Sequence, residues 1–471
     1  MIVAEFSEPI FSPFWDKIEE MGKESFIFKL TSRLLSPLLL IFSFKSWASD
    51  IEVKPYTGSV GATTNQLAPS VGDVPGNRYN FDLKFDYHKN DPHLLERKFT
   101  FNALLNDQNL SMFSLNEASV TFRRDKHRLT VGRQILDWSL VDAFWGFGKL
   151  NNRQNFNYFE PGLEGLIGFN LKLNYSNGFS YQLFGSFLYA PETNPSSNIN
   201  NSEGTITSSH PWSKPPSPTA TISTNGPTRD VRIDYNVNYP TLSDVVFRYT
   251  IGLKFGIEKK NFSADAFVLR KPENQISTTV NVSYDAGLDI VNADITPQFY
   301  YHDLYGGSLR YQNNGLKLYL SGIAIRPNEF PDGNQEAFEY TQIETEKRRE
   351  DYVGGGISFE KDHHQYGFNY VARLSPFNRE DDILAVDPRW NQAVNGFFKW
   401  QMTPSFNLRT DIKYDMLTTD RLVMIQANYA FNSRFLINGG INMIGTPNNG
   451  KSFWSPYKNN DSLYTGIRVI F

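Results

Sequence analysis

Phe247-Arg-Tyr249-Thr-Ile251-Gly-Leu253-Lys-Phe255-Gly-Ile257 alternates apolar with polar or small residues over eleven positions. Successive side chains of an extended chain point to opposite faces, so this run makes a strand with one apolar and one polar side. Phe406-Asn-Leu408-Arg-Thr410-Asp-Ile412-Lys-Tyr414-Asp-Met416 and Tyr79-Asn-Phe81-Asp-Leu83-Lys-Phe85-Asp-Tyr87-His88 repeat the pattern. Tyr or Phe stands towards the ends of the apolar face and aliphatic residues nearer its middle. A strand half-buried in a soluble sandwich alternates too, but an aliphatic band between aromatic girdles is what a wall facing lipid requires.

Composition agrees with that division of faces. The 471 residues include 38 Phe, 24 Tyr and 8 Trp, yet the mean hydropathy is −0.43. No segment supplies the roughly 20 consecutive apolar residues of a spanning helix; the longest apolar run, Leu34 to Phe44, contains Pro37. The absence of Cys excludes a disulfide framework, a thiolate metal site and a Cys nucleophile. A net charge of −4 gives no support for nucleic acid as a partner.

Residues 29–48 run from Lys29 and Arg33 through the apolar Leu34–Phe44 to Ser46-Trp47-Ala48, the order of a secretory signal peptide. Cleavage is expected after Ala48. Residues 1–20 are acidic where a signal's first region is basic, and Met21 followed by Lys23 is the better start. The expected organisation is an over-extended gene start over 1–20, a signal peptide over 21–48 and a β-barrel over 49–471.

Alternation resumes about every 23 residues, and the connections alternate short and long. An all-β transmembrane antiparallel barrel of about 18 strands is expected, with 16 to 20 tolerated, short periplasmic turns and long extracellular loops. The first strand is placed at 50–60. Segment 272–302 is ambiguous between extra strands and a folded outer loop. The Ser-, Thr-, Asn- and Pro-rich segment 191–243 reads as a mobile loop unable to bury a core, and 327–351 ends in a solvated charged run. The final segment, Leu463 to Phe471, has apolar residues at alternate positions and a terminal Phe. It resembles the carboxy-terminal strand of outer-membrane proteins, which implies that Phe471 serves as a signal to the barrel-assembly machinery.

With Ile51 already opening a strand-like run, nothing like the plug domain of a TonB-dependent transporter precedes the barrel. None of His88, His93, His127, His210, His302, His363 or His364 stands in a recognisable hydrolase motif, and Tyr175-Ser-Asn-Gly178 lies in a turn. No catalytic residues, metal site or cofactor are assigned. A channel remains. Leu129-Thr-Val-Gly132-Arg133-Gln134-Ile-Leu-Asp137-Trp138, followed by Asp142, Phe144-Trp145 and Asn151-Asn-Arg153, resembles the Gly-Arg-Gln then Trp of alginate-export-like and related porin-like outer-membrane families. Ser139 replaces the usual Gly after the Trp, so the resemblance implies a porin-like fold and not a substrate. Arg133 shares parity with Leu129 and Val131, which points it at lipid unless a bulge re-aims it or the strand has left the membrane; the latter is expected.

Taking the apolar face as outer, the inner face has more cations than anions, among them Lys84, Lys172, Arg248, Lys254, Arg310, Arg373, Arg409, Lys413, Arg434 and Arg468. A mild anion preference follows if they are free, and none if they pair across strands. The aromatic segment 138–163, with Trp138, Asp142, Trp145, Arg153 and Glu160, must pack somewhere, either as a constriction in the barrel mouth or as an outer lid. The expected function is passive diffusion of small hydrophilic solutes, with outer-membrane lipid as surroundings and a homo-oligomer left open. The alternative is a structural or adhesive barrel whose lumen is closed by loops.

Overall fold

The computed structural model describes residues 56–470 except 69–77, 91–94, 107–110, 196, 209, 211, 223–227, 329–334, 337–340, 345–346, 376–387 and 448–451. The expected leader and Phe471 lie outside the described residues. In chain order come β1 (Tyr56–Ala68), β2 (Arg78–Asn90), β3 (Leu95–Asn106), β4 (Ser111–Arg124) and β5 (His127–Gln134), then helix α1 (Leu140–Trp145). There follow β6 (Asn152–Gln154), β7 (Gly162–Glu164), β8 (Leu166–Asn174), β9 (Phe179–Ser186), β10 (Asn198–Asn200), β11 (Thr205–Thr207), β12 (Thr219–Ile222) and β13 (Arg229–Val237). Helix α2 (Leu242–Val246) leads to β14 (Thr250–Lys259), β15 (Phe262–Pro272), β16 (Ser277–Asp285), β17 (Ile290–Gln298), β18 (Tyr301–Asn313) and β19 (Leu316–Pro327). After β20 (Gln335–Glu336) and β21 (Thr341–Glu344) come β22 (Glu350–Lys361), β23 (His364–Arg373), β24 (Gln392–Thr403), β25 (Phe406–Asp415), β26 (Arg421–Ala430), β27 (Phe435–Gly445) and β28 (Asp461–Ile470).

Eighteen of these strands form one sheet: β1 to β5, β8, β9, β14, β15, β18, β19 and β22 to β28. Each is antiparallel to the strand before and after it, and β28 pairs back onto β1 from Ser59↔Ile470 to Ala68↔Asp461. The ring is therefore closed and has no free edge, the condition for strands to cross a bilayer. At one end the connections are tight. Asp125, Lys260, Asn314 and Asp362 adopt positive φ in two-residue turns, whose twist suits a hairpin. The long connections all lie at the other end.

The two faces separate as alternation dictates. Leu129, Val131, Leu183, Ile251, Leu309, Leu320, Ile412, Ile437, Ile441 and Leu463 are exposed on the outer wall. Near the tight turns the exposed outer residues become aromatic: Phe122, Phe179, Tyr181, Phe262, Tyr311, Phe359, Tyr366, Trp400, Tyr429 and Phe435. On the inside, Ser119, Thr121, Gln182, Ser308, Ser321, Asn369, Asn395 and Asn442 are buried. An apolar exterior around a polar interior inverts the soluble pattern and suits hydrocarbon surroundings. No helix among the described residues is long and apolar enough to cross a membrane.

Three expectations are corrected, and the ambiguity at 272–302 is resolved. Among the described residues the first strand runs over 56–68, beyond the end expected at 60: the small residues Gly61 and Ala62 carry little alternation, but their backbone pairs with both β2 and β28. The wall strand after the long loop begins at Thr250, because Thr241 and Asp244 form a reciprocal capping box that starts α2. Ser277–Asp285 and Ile290–Gln298 are strands, but outside the wall. They belong to a six-stranded sheet, β12-β13-β17-β16-β21-β20, drawn from three successive long loops. Segment 191–243, expected to bury nothing, supplies Ile206, Ala220, Ile222, Val231, Ile233, Tyr235 and Val237 to its core, where they meet Val280, Val282, Val291, Ala293, Ile295 and Ile343. Each loop alone has too few apolar residues for a core; pooled on one sheet face they suffice.

Candidate functional site

After Gln134 the chain turns into the barrel. Ser139 caps α1 by accepting from Asp142 N at 3.3 Å, and Gly146, at φ 76°, ends it in the left-handed conformation. The buried Asp142 carboxylate accepts from Lys149 N at 2.9 Å and Leu150 N at 3.0 Å. Asn151 and Leu136 bond reciprocally, each 2.8 Å, and close the loop at its base. Gly354 on β22 faces α1: a Cβ there would stand 2.9 Å from Val141 Cγ2, so the glycine lets the helix lie against the wall.

Around this segment gathers an aromatic plug. Trp138, Trp145, Trp212, Trp390, Trp454 and Tyr457 are almost fully buried and share one apolar cluster with the inward residues Leu269, Leu304, Ile323, Ile325, Tyr352, Val371, Leu422 and Ile444. Trp145 meets Trp390 edge-on with centroids 6.0 Å apart, and Phe147 stacks on Tyr352 at 4.2 Å. Polar ties bind the plug to the wall. Lys149 donates to Glu350 at 2.8 Å, Lys254 to Asp137 O at 3.2 Å, and Asn274, held by Lys271, to Asn151 O at 3.0 Å. Segment 138–163 thus lies inside the ring.

Several plug charges are buried. Arg153 lies against Gly146 and Gly148, and burial lowers its pKa to about 10 against the attraction of Asp142 and Glu192. Burial pushes Glu192 up to about 7 although Arg153 opposes it. Glu164, buried on β7, is also raised by burial while Arg133, Ser114 and Thr193 pull it down. Arg389 is held well below the usual guanidinium range by burial and by Arg153; its guanidinium carbon sits 4.9 Å from the Trp454 ring centroid and its nitrogens donate to the carbonyls of Gly146 and Tyr158.

The Arg133 side chain turns away from the lipid-facing side that its parity predicts. The ladder continues through Arg133 to Gln134, with Ala118↔Arg133 and Gln134↔Leu166 paired, so the strand has not left the sheet. Gly132 adopts φ 118°, and the Arg133 side chain bonds Gly165 O at 2.9 Å and Glu164 at 3.3 Å. The local twist at Gly132 re-aims it towards the plug.

Between the plug and the β2, β3 and β26–β28 wall a cavity of about 340 Å³ remains. Gln154, Phe156, Asn157, Glu160 and Gly162 line one side; Lys84, Asn102, Gln426, Asn428, Asn438, Asn442, Tyr464 and Arg468 line the other. Of the five residues expected in the constriction, only Glu160 lines this cavity; Trp138, Asp142, Trp145 and Arg153 lie within the plug. The carboxamides carry no charge, so weighing inward positions by charge passes over them. Alternation through Gln426 and Asn428 was the signal that could have found them.

The expected pore-lining cations are scattered among several settings. Lys84 and Arg468 line the cavity. Many inward cations are paired: Lys84 with Asp86 at 3.6 Å, Lys254 and Arg310 with Asp265 at 3.6 and 3.0 Å, and Arg409 with Asp411 at 3.1 Å. Lys172 lies on β8 without an ion pair to a described residue. Lys413 lies over the Phe144 and Trp145 rings at 5.6 and 5.8 Å, and Arg373 approaches Tyr352 at 6.0 Å. Two assignments are corrected. Arg248 precedes β14, donating to Asp244 O at 2.9 Å beside the Phe299 ring, because α2 displaces the strand's start. Arg434 is exposed in the turn before β27, whose Asn432 side chain accepts its backbone N–H at 2.8 Å.

No family model matches the sequence, and no curated protein matches it. Among solved structures the chain is similar to Salmonella typhi OmpF in complex with daunomycin at 10% identity and a TM-score of 0.42, covering 88% of this chain and 97% of that one. It is also similar to Acinetobacter baumannii OccAB4, at 10% identity and a TM-score of 0.42 over 89% and 98% of the two chains. A Rh. blastica porin mutant gives 9% identity and a TM-score of 0.37 over 88% and 99%. Likeness this low carries no argument, and the fold rests on the strand register itself.

Proposed function

We propose that this chain is a channel of the bacterial outer membrane through which small hydrophilic solutes diffuse passively. The observation that carries the reading is the polar cavity left between the plug and one sector of a closed, externally apolar ring. Solute passes through water, so the reading needs no catalytic step and no cofactor. The plug sets the aperture, and the inward charges set the field felt by ions. Purified protein reconstituted in a planar bilayer is expected to give steady single-channel currents. Electrically silent bilayers would instead favour the second reading, a structural or adhesive barrel closed by its loops, which the plug's wide contact with the wall and the outer six-stranded sheet support.

A further inference from the structure

We propose that the cavity beside the plug binds an uncharged, polyhydroxylated solute, a short neutral saccharide, on its way through the barrel. The proposal rests on the channel reading and adds the class of solute. At about 340 Å³ the cavity stands at the small end of the roughly 300–1,000 Å³ of sites that hold small molecules. Among the described residues, seven carboxamides contribute to its lining, against the three charged side chains Lys84, Glu160 and Arg468. Lys84 is held 3.6 Å from Asp86, and Glu160 and Arg468 are of opposite sign, so the charges come close to balance.

A carboxamide offers both donors and acceptors, as a hydroxyl does. A lining of amides therefore matches vicinal hydroxyls at any orientation, whereas an anion needs donors alone and a cation acceptors alone. These amides are already partly oriented. Asn102 donates to Gln154 at 2.9 Å across the plug–wall gap, leaving its own Oδ1 buried without a hydrogen-bond partner among the described residues. Further round the same wall Asn428 donates to Asn407 at 3.0 Å. Phe156 and Tyr464 supply aromatic surface to the same cavity, suited to the apolar C–H face of a sugar ring.

The test uses the whole chain in a planar bilayer, with maltotriose as probe. Ion current is expected to fall saturably with maltotriose, and to fall without saturation with a polyethylene glycol of matched size, whose ether oxygens only accept. Asn438→Asp, with folding checked by heat-modifiable electrophoretic mobility, is expected to raise the half-blocking concentration about tenfold. Block identical to that by polyethylene glycol, or stronger block by a trisaccharide of uronic acids, would overturn the saccharide assignment while leaving the channel intact. A protein that does not conduct would sink the channel reading. Calorimetric titration of the detergent-folded protein with maltotriose would then decide the site, saturable heat supporting it and its absence overturning it.

Discussion

Glu192 is the residue through which pH should reach the plug. Its carboxyl, raised by burial from 4.5 to about 7, keeps its proton in the folded protein at pH values where the unfolded chain has lost it. Its contribution is therefore fully present below about pH 4.5 and disappears as pH rises through about 7. Arg153 works against this shift, while the nearby Glu164 reinforces it. The midpoint of denaturant unfolding followed by plug tryptophan fluorescence is expected to fall between pH 5 and pH 8. In Glu192→Gln, which cannot ionise, the fall should be smaller; an equal fall would assign the pH dependence to other groups. Nothing in the local sequence around Glu192 announces this behaviour, because it depends on burial by segments distant along the chain.

Among the elements, the wall strands other than the small-residue β1 were legible and their partners in the loops were not. A strand such as Phe406–Asp415 declares itself by alternation, since its two faces meet two different solvents. Segment 138–163 was legible as a packing segment by its aromatic content. Trp212 and Trp390 stand singly in polar loops and Trp454 sits beside Phe453 in another, and none of these residues, which complete the plug, has a periodicity to mark it. The same physics hid the outer sheet: β13 alternates clearly, but its neighbour β17 comes from another loop and pairs with it in parallel. Two substitutions separate wall from outer sheet. Leu320→Arg, on the outer face midway along β19, is expected to cost roughly 2–4 kcal/mol of barrel stability, measured by denaturant titration in lipid vesicles. Ile233→Asp puts a carboxylate into the outer sheet's core; protease cleavage within 191–243 is expected to increase while the barrel keeps its heat-modifiable mobility. Loss of the barrel itself would show that the wall depends on the outer sheet.

For the whole molecule, the net charge is −4, and inward cations such as Lys254, Arg310 and Arg409 are matched by the neighbours Asp265 and Asp411. We propose that the cations left without a carboxylate partner give a mild anion preference, expected as a reversal potential of anionic sign under a salt gradient. A cation-selective potential would show that the paired charges leave no positive field.

The outer sheet also has a mechanical consequence. Its strands arise from the connections β9–β14, β15–β18 and β19–β22, so it clasps three consecutive hairpins of the rim together. Because its strands come from three separate connections, the sheet is complete only when all three loops have met. Once fastened, they act as a toggle on the far side, resisting withdrawal of that arc of the wall. The solute cavity lies along the opposite arc, among β2, β3 and β26–β28, where the clasp does not reach.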